Sequence, residues 1–277
     1  MQIERLAAFC HGASGGNPAG VVVTDVLPSA ADMQAIAARV GYSETAFAAP
    51  EGAHWRVRYF SPELEVPFCG HATIALGAAL TARQGNGEFV LQLNRACIRV
   101  EGWREGDIVS ASLQSPPTKS GAAPVALRDQ ALALFGYAAG ALDPRLPPAL
   151  AHAGADHLIL ALGKRQALAA LRYDLNAGRD FMRTHSLTTI ALVVAEHPQR
   201  FHARNPFASG GVYEDPATGA AAAALSGYLR DANWPHGGHI EILQGEDMGS
   251  PSRLLCDIPA EPGSSIRVSG TARWLPG

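Results

Sequence analysis

Short runs with alternating apolar and polar residues dominate the first half of the chain and predict strands. These runs are GVVVTD, ETAFAAP, WRVRYF, FVLQLN, CIRVEG and IVSASL. One segment between them, SAADMQAIAARV, has the helical repeat instead, with Ser29 as a cap at its start and Gly41 at its end. Its apolar face consists of Met33, Ile36, Ala37 and Val40.

The second half repeats this mixture of many strands and few helices. The predicted strands are HLILAL, TIALVVAE, FHARNPF, HIEILQG, RLLCDI and SIRVSGTARWL. The segment DQALALFGY and the segment from Thr218 to Leu229 have helical patterns. Many strands joined by short connections predict an α+β fold with antiparallel or mixed sheets, not a doubly wound parallel sheet.

A stretch rich in proline and glycine, QSPPTKSGAAP at residues 114–124, lies near the middle of the chain. Paired prolines interrupt both helices and strand ladders, so the pattern predicts a linker there. We therefore expect two domains, at residues 1–115 and 125–264. A chain of 277 residues is long enough to form two hydrophobic cores.

One alanine-rich motif occurs twice. GHATIALGAAL at residues 70–80 aligns with DPATGAAAAAL at 215–225, with six of eleven positions identical. Alanine-rich helices also resemble one another by chance. Here, however, the offset is about half the chain, and each copy follows a strand pattern and opens on a polar cluster. This indicates duplicated halves.

A helix made of small residues fits inside a curled sheet where bulkier helices do not. The first turn of a buried helix carries backbone N–H groups without partners in the helix and a partial positive charge. Two such helix ends facing each other would hold a carboxylate or an enolate-like anion. The repeat thus predicts an anion site between the halves.

Composition and charge narrow the possible partners. The chain is 47% hydrophobic and 17% charged, with a net charge of −3 and no Lys/Arg run, which argues against nucleic acid and acidic lipid. The N-terminus lacks a signal-peptide pattern, and no apolar run is long enough to span a membrane, so we expect a cytoplasmic protein. Neither the four dispersed cysteines nor the ten histidines show metal-ligand spacing, and no nucleotide motif occurs; we expect no metal and no cofactor.

Four motifs in order carry a family resemblance: GNPAG at 16–20, SETAF at 43–47, RYFSPELEVPFCGHAT at 58–73 and GGVYEDPATGAAAAALSGYL at 210–229. Together they resemble the phenazine biosynthesis PhzF-like isomerase family over nearly the whole chain. The resemblance implies a diaminopimelate epimerase-like fold: two pseudo-symmetric α+β domains, each a curled sheet around a central helix. It also implies a homodimer, and that residues 265–277 pack in the first domain.

The resemblance also implies the catalytic residues. Glu44 of the SETAF motif is the expected general acid/base, and a carboxyl group needs a desolvated setting to handle protons near neutral pH. His71 and Asp215, one at each repeated motif, are expected to contact the substrate and help move protons. Taken alone, a histidine is commonly structural and an aspartate before proline is a common helix cap.

The same motifs give the expected substrate-binding positions. The list comprises Asn17, Ser43, Gly70, Thr73, Thr218, Gly219 and Ala220. The backbone amides of Gly70, His71, Thr218 and Gly219 are the expected anion donors. Ala220 stands where many relatives have serine. The missing hydroxyl puts the identity of the substrate in question more than the type of chemistry.

Racemases of this fold use one thiol from each half as opposed acid and base. Cys69 supplies one thiol, but the aligned position in the second motif is Glu214, which excludes a symmetrical thiol pair. Cys69 and His71 lie two residues apart without a third orienting group, so a hydrolytic dyad is also disfavoured. We interpret Cys69 as a small buried residue.

Three functions follow as hypotheses. The first is a cofactor-independent isomerase in which Glu44 moves a proton between two carbons of a small carboxylate similar to the family's dihydro-hydroxyanthranilate. The second is an amino-acid epimerase or racemase, with Glu44 opposed by His71 or Asp215. The third is a non-catalytic protein that binds a metabolite or a partner, against which the retention of all three residues argues.

Overall fold

The computed structural model describes residues 2–276 and divides the chain into two compact units. Of these described residues, the first unit consists of 2–114 and 269–276, and the second of 115–268. The C-terminal residues thus belong to the first unit. No helix among the described residues has both the length and the apolar character needed to cross a membrane.

The first unit contains all six strands that the alternating pattern predicts in the first half of the chain. Its elements are β1 Glu4–Ala8, β2 Asn17–Val23, α1 Ala30–Val40, β3 Thr45–Glu51, β4 His54–Phe60, β5 Glu65–Val66, α2 Gly70–Gln84, β6 Gly87–Gln92, β7 Cys97–Glu105 and β8 Ile108–Gln114. The predicted caps of α1 are confirmed: Ser29 accepts a hydrogen bond from the Asp32 amide, and Gly41 has a left-handed backbone with φ of 74°.

The second unit contains most of the helices. Its elements are β9 Lys119–Ala122, α3 Val125–Phe135, β10 Ala149–His152, β11 Asp156–Ala161, α4 Arg165–Ala169, α5 Leu175–Thr184, β12 Thr189–His197, β13 Arg200–Arg204, β14 Pro206–Phe207, β15 Val212–Glu214, α6 Gly219–Asp231, β16 His239–Gln244 and β17 Ser252–Asp257. The last strand, β18 Arg267–Trp274, lies in the first unit from Ser269 onward. Short 3₁₀ turns cover Ala139–Ala141, Ala208–Gly210 and Glu246–Met248.

Both units use the same pattern of strand pairing. In the first unit the pairs β1–β2, β2–β3, β3–β4, β4–β6 and β6–β7 are antiparallel, parallel, antiparallel, parallel and antiparallel. In the second unit β10–β11, β11–β12, β12–β13, β13–β16 and β16–β17 follow the same sequence. The predicted α+β fold with two pseudo-symmetric halves is therefore confirmed.

The strands of the first unit form a closed, barrel-like sheet. β8 follows β7 in an antiparallel pair, and β18 pairs with β1 and neighbours β8 in the strand order. α2 contacts six strands of this sheet, β1, β2, β3, β6, β7 and β8, so it is the central helix of the unit. Its residues from His71 to Thr81 are all buried.

The predicted linker is wrong in part. Residues Lys119–Ala122 form the strand β9, which pairs antiparallel with β10 from Lys119↔His152 to Ala122↔Ala149. The paired prolines, Pro116 and Pro117, lie before this strand, so the amide groups of residues 119–122 are free to pair. The sequence prediction also lacked α5, whose start is capped by the Asp174 carboxylate accepting from the Ala177 amide.

α6 is the central helix of the second unit and contacts β9, β10, β11, β12 and β17. Its residues from Ala221 to Arg230 are buried. α2 begins at Gly70 and α6 at Gly219, so α6 starts four residues later than the alignment of the two motifs predicts. When the two helices are aligned by their first residues, Cys69, which directly precedes α2, therefore corresponds to Thr218, which directly precedes α6.

Close packing explains why α2 consists of small residues. Gly77 faces Val100 and Ala111, and a Cβ added at Gly77 would lie 2.8 Å from the Val100 side chain. A Cβ added at Gly102 of β7 would lie 1.8 Å from the Thr81 hydroxyl oxygen and 3.1 Å from the Gly77 carbonyl oxygen. The helix and the strand therefore approach each other too closely for an additional methyl group.

We expect Gly102→Ala to destabilise the chain by about 1–3 kcal/mol, because overpacking a rigid interior forces backbone shifts. The control is Gly87→Ala at the position paired with Gly102 across β6 and β7, where an added Cβ meets no atom within 4 Å. Thermal unfolding of both variants tests this. Equal stability of the two variants would contradict the close packing of α2.

A buried histidine links three strand segments of the second unit. His157 of β11 is fully buried, and its Nδ1 lies 2.7 Å from the Thr189 hydroxyl oxygen. That hydroxyl donates in turn to Asn205 Oδ1 at 3.1 Å. Burial lowers the pKa of His157 to about 4, because the charged imidazolium is poorly solvated there. The side chain is thus neutral in the folded protein at neutral pH.

This pKa makes stability depend on pH. In the unfolded chain His157 takes up a proton below about pH 6.5, whereas the folded protein resists this down to about pH 4, so stability falls as the pH drops through this range. At pH 5 the loss from this residue is about 2 kcal/mol.

Denaturant unfolding at pH 7 and pH 5 measures the effect. His157→Asn should reduce the difference in unfolding free energy between the two pH values by about 2 kcal/mol. The exposed His239 offers the matched control, His239→Asn, which should retain the wild-type difference. A wild-type difference in the His157→Asn variant would refute this origin of the pH dependence.

Candidate active site

The backbone around Glu44 is fixed by a parallel pair of strands. Glu44 directly precedes β3, and its carbonyl oxygen accepts a hydrogen bond from the Gly20 amide of β2 at 3.1 Å. Gly20 lies opposite Thr45, and an added Cβ there would lie 2.6 Å from the Thr45 hydroxyl oxygen. The close approach of β2 and β3 therefore positions Glu44. Its side chain is 17% exposed.

The start of α2 positions two further side chains. Cys69 is the residue before the helix, and it provides no side-chain cap. The Thr73 hydroxyl donates to the Cys69 carbonyl oxygen at 2.7 Å and also lies 2.7 Å from the Tyr59 hydroxyl oxygen. Burial raises the pKa of Tyr59, so its phenol stays neutral. These contacts fix the first turn, from which His71 projects.

Glu44, Cys69 and His71 form one cluster. The Cys69 thiol donates to Glu44 Oε2 at 3.4 Å, and Cys69 Sγ lies 3.3 Å from His71 Nδ1. His71 Nε2 lies 3.4 Å from Glu44 Oε2 and 3.3 Å from the Ser43 hydroxyl oxygen. The side chain of His71 is 8% exposed. The fold therefore brings together two predicted catalytic residues, the predicted Ser43 and the thiol.

This cluster supplies acid/base chemistry. A carboxylate and an imidazole in contact can pass a proton between them, and partial burial strengthens the interaction of each with developing charge. The helix start next to them adds the N–H groups of the first turn, which favour an anion. The thiol interpreted from sequence as a small buried residue is buried and contacts both groups.

The remaining predicted residues of the first unit differ in exposure. Asn17 is the first residue of β2 and is 3% exposed. Gly70 is the first residue of α2 and is half-buried. Thr73 is fully buried, with its hydroxyl bound to Cys69 and Tyr59. Its contacts make Thr73 a support of the helix start, and its predicted role in substrate binding stays a prediction.

In the second unit, the segment before α6 is held by a glutamine. Gln244 of β16 is buried, and its amide donates to the Asp215 carbonyl oxygen at 2.6 Å and to the Thr218 hydroxyl at 3.2 Å. Gln244 Oε1 accepts from the Thr218 amide at 3.3 Å. The Thr218 hydroxyl donates to the Asp215 carboxylate. Gly219 is buried at the helix start, and Ala220 is half-buried.

Sequence reasoning missed both Gln244 and the partner of Glu214. Gln244 lies near the end of the predicted strand HIEILQG, whose alternating pattern does not indicate the partners of its side chain. Arg204 donates from Nε to Glu214 Oε1 at 2.9 Å and from Nη1 to the Ala169 carbonyl oxygen at 3.1 Å. Both side chains of this ion pair are buried. Such a paired charge is structural, because separating its members would leave a buried charge unsatisfied.

The two central helices therefore start with different chemistry. A thiol precedes α2, and a threonine hydroxyl bound to Asp215 precedes α6. The sequence has no cysteine between Cys97 and Cys256, so neither the motif alignment nor the helix positions provide a second thiol at α6. A symmetrical thiol pair is therefore excluded both by the alignment of the two motifs and by the alignment of the two helix starts.

Comparison with known proteins identifies similar chains. The sequence profile described as phenazine biosynthesis-like protein matches residues 6–275. An uncharacterized isomerase of Mesorhizobium japonicum is 31% identical over 289 residues, covering 97% of this chain and 92% of the relative. The trans-2,3-dihydro-3-hydroxyanthranilate isomerase of Pseudomonas fluorescens is 32% identical over 271 residues, covering 95% and 93%.

A solved structure confirms the similarity of fold. The phenazine biosynthesis protein of the PhzF family from Bacillus anthracis superimposes with a TM-score of 0.85, covering 100% of this chain and 98% of the other. Its sequence identity is 21%, so this likeness concerns the fold alone.

The contacts of Gln244 predict a local effect on the segment before α6. We expect Gln244→Leu to speed amide hydrogen exchange in residues 215–222 by about tenfold, because it removes the hydrogen bonds of the Gln244 side chain to the Asp215 carbonyl oxygen and the Thr218 amide. Exposed Gln166 provides the control, Gln166→Leu. Mass spectrometry of peptides measures the exchange rate of this segment in both variants. An unchanged rate in Gln244→Leu would show that other contacts hold residues 215–222 in place.

Proposed function

The chain belongs to the phenazine biosynthesis-like protein family and is an isomerase, and we propose that it moves a proton between two carbons of a small carboxylate substrate without a cofactor. The observation that carries this proposal is the contact of the Glu44 carboxylate with both His71 and Cys69, at 3.4 Å each, beside the start of α2. A single carboxyl group, flanked by a histidine, suits a proton shift.

Glu44 acts as the general base and then as the general acid. Its carboxylate takes a C–H proton adjacent to an unsaturated or carboxylate-activated system, and the electron pair of that bond shifts into the conjugated system. The carboxylic acid then returns the proton to a second carbon, so that the substrate keeps its composition. His71 next to Glu44 stabilises the carboxyl group in both protonation states, and first-turn amides of α2 stabilise the developing anion.

The grouping of the donors favours a shift on one face over inversion. Inversion requires a base and an acid on opposite faces of one carbon, whereas the ligand atoms of Glu44, Cys69 and His71 all lie within 4.8 Å of one another. Three groups this close approach a bound carbon from the same side. The cluster therefore supports repeated use of Glu44. The predicted catalytic role of Asp215, in the second unit, stays a prediction.

The model substrate comes from the relatives. Curated relatives are named trans-2,3-dihydro-3-hydroxyanthranilate isomerases, and we propose a substrate of this class: a small, unsaturated amino or hydroxy carboxylate. Ala220, half-buried in the first turn of α6, presents a methyl group instead of the hydroxyl expected from the resemblance. We therefore expect the substrate to lack the polar group that such a hydroxyl would bind.

Glu44→Gln tests the proposal with trans-2,3-dihydro-3-hydroxyanthranilate in deuterated water, followed by proton NMR. We expect turnover to fall by about 10²–10⁴-fold, the usual contribution of a general acid/base group. Glu51→Gln makes the same change at an exposed position of β3, the strand that follows Glu44, and should leave turnover within about twofold.

The position of deuterium separates the alternatives. A product whose double bonds have moved supports the shift, and deuterium at the new C–H position would show that the proton on Glu44 exchanges with solvent. Exchange at one stereocentre with inversion would establish an epimerase. An equal loss of turnover in Cys69→Ser and Glu44→Gln would indicate a thiol base. No turnover by the wild-type chain would reject this substrate.

A further inference from the structure

We propose that Glu44, Cys69 and His71 also form a binding site for a divalent transition-metal ion, with Zn²⁺ as the ion that their chemistry favours. A thiolate, an imidazole nitrogen and a carboxylate oxygen are the three ligand types that Zn²⁺ takes from proteins. A thiolate and an imidazole are softer ligands than the oxygen atoms that Mg²⁺ and Ca²⁺ prefer, so these two ions should bind the site weakly.

The distances between the donor atoms match a tetrahedral site. Typical bonds from Zn²⁺ to sulfur, nitrogen and oxygen place such ligand atoms about 3.3–3.6 Å apart. In the structure, Cys69 Sγ and Glu44 Oε2 lie 3.4 Å apart, and Glu44 Oε2 and His71 Nε2 also lie 3.4 Å apart. Cys69 Sγ and His71 Nε2 lie 3.8 Å apart. Cys69 Sγ is closer to His71 Nδ1, at 3.3 Å, so the imidazole ring must turn for Nε2 to point at an ion shared with the sulfur.

Hydrogen bonds hold the backbone at two of the three ligands, Cys69 and Glu44. The carbonyl of Cys69 is held by Thr73, and the backbone of Glu44 by Gly20. Preorganised ligands lose little freedom on binding a metal, which favours affinity. Glu44 lies 25 residues from Cys69 in the chain, so the spacing of ligands in the sequence did not indicate this site.

Charge and proton balance are compatible with binding. The thiol of Cys69 gives its proton to solvent, its sulfur forms the bond to the metal, and the neutral imidazole donates its lone pair. The thiolate and the carboxylate together neutralise the two charges of the ion. Three protein ligands leave the fourth position of a tetrahedral ion to water or a carboxylate.

Metal binding would oppose the reaction proposed above. An ion bound to Glu44 Oε2 occupies the carboxylate that takes the substrate proton, so Zn²⁺ should inhibit the enzyme. This consequence rests on the proposed function, whereas the metal site itself does not.

Titration of the chelator-treated full chain with Co²⁺ tests the site by absorption spectroscopy, independently of activity. We expect a thiolate-to-cobalt charge-transfer band and intense visible bands of a four-coordinate ion, saturating at one Co²⁺ per chain and lost on addition of Zn²⁺. Cys69→Ser should abolish the charge-transfer band, and Glu44→Gln should weaken Co²⁺ binding by more than about tenfold, the loss that even an outer partner of a metal ligand can cause.

The control is Cys97→Ser, which removes an exposed thiol and should retain every band. Absence of bands from the wild-type chain, or a charge-transfer band that persists in Cys69→Ser, would overturn the proposal. Circular dichroism verifies that each variant is folded, and Glu44→Gln retains a test that does not depend on replacing the buried thiol. Bands without Glu44-dependent turnover would refute the proposed function alone, and turnover without bands would refute the metal site alone.

Discussion

The close approach of α2 to the strands around it is the constraint on which the candidate site depends. Gly102 and Gly77 leave no room for a methyl group between the helix and β7, so α2 is confined along its length. A confined helix has a fixed first turn, which Thr73 and Tyr59 secure from inside the unit. Cys69 and His71 consequently occupy defined positions without support from flexible loops. Packing in the core thus determines the geometry of reactive groups at its end.

The second constraint brings in a carboxylate from a distant part of the chain. Glu44 follows α1, whose end at Gly41 is set by a left-handed turn, and its backbone is tied to β2. Because β2 and β3 form a parallel pair in which Gly20 lies opposite Thr45, the start of β3 is fixed relative to β2. The same sheet that surrounds α2 therefore positions the Glu44 carboxylate. Of the three groups, His71 lies in α2, whereas Cys69 directly precedes that helix and Glu44 directly precedes β3.

Local patterns predicted the elements better than their ends or their connections. Alternation identified β2, β3, β4 and most later strands, and the small residues of α2 identified a central helix before its contacts were known. The pattern failed at β9, because proline and glycine mark a break whether or not a short strand follows. It also failed for Gln244 and Arg204, because their roles depend on partners 26 and 10 residues away that only the folded chain brings close. The contacts among Glu44, Cys69 and His71 are likewise products of tertiary structure.

The duplicated halves have diverged where chemistry is expected. Both units retain the same order of parallel and antiparallel pairs and a buried central helix, since these features are needed to bury a core. At the helix start, the first unit has titratable and nucleophilic groups in mutual contact, and the second has a hydroxyl, an amide and a buried ion pair. An inverting enzyme with like groups in both halves would show equivalent donors at the two helices. Their difference therefore favours chemistry in which one carboxyl group, Glu44, both removes and returns the proton.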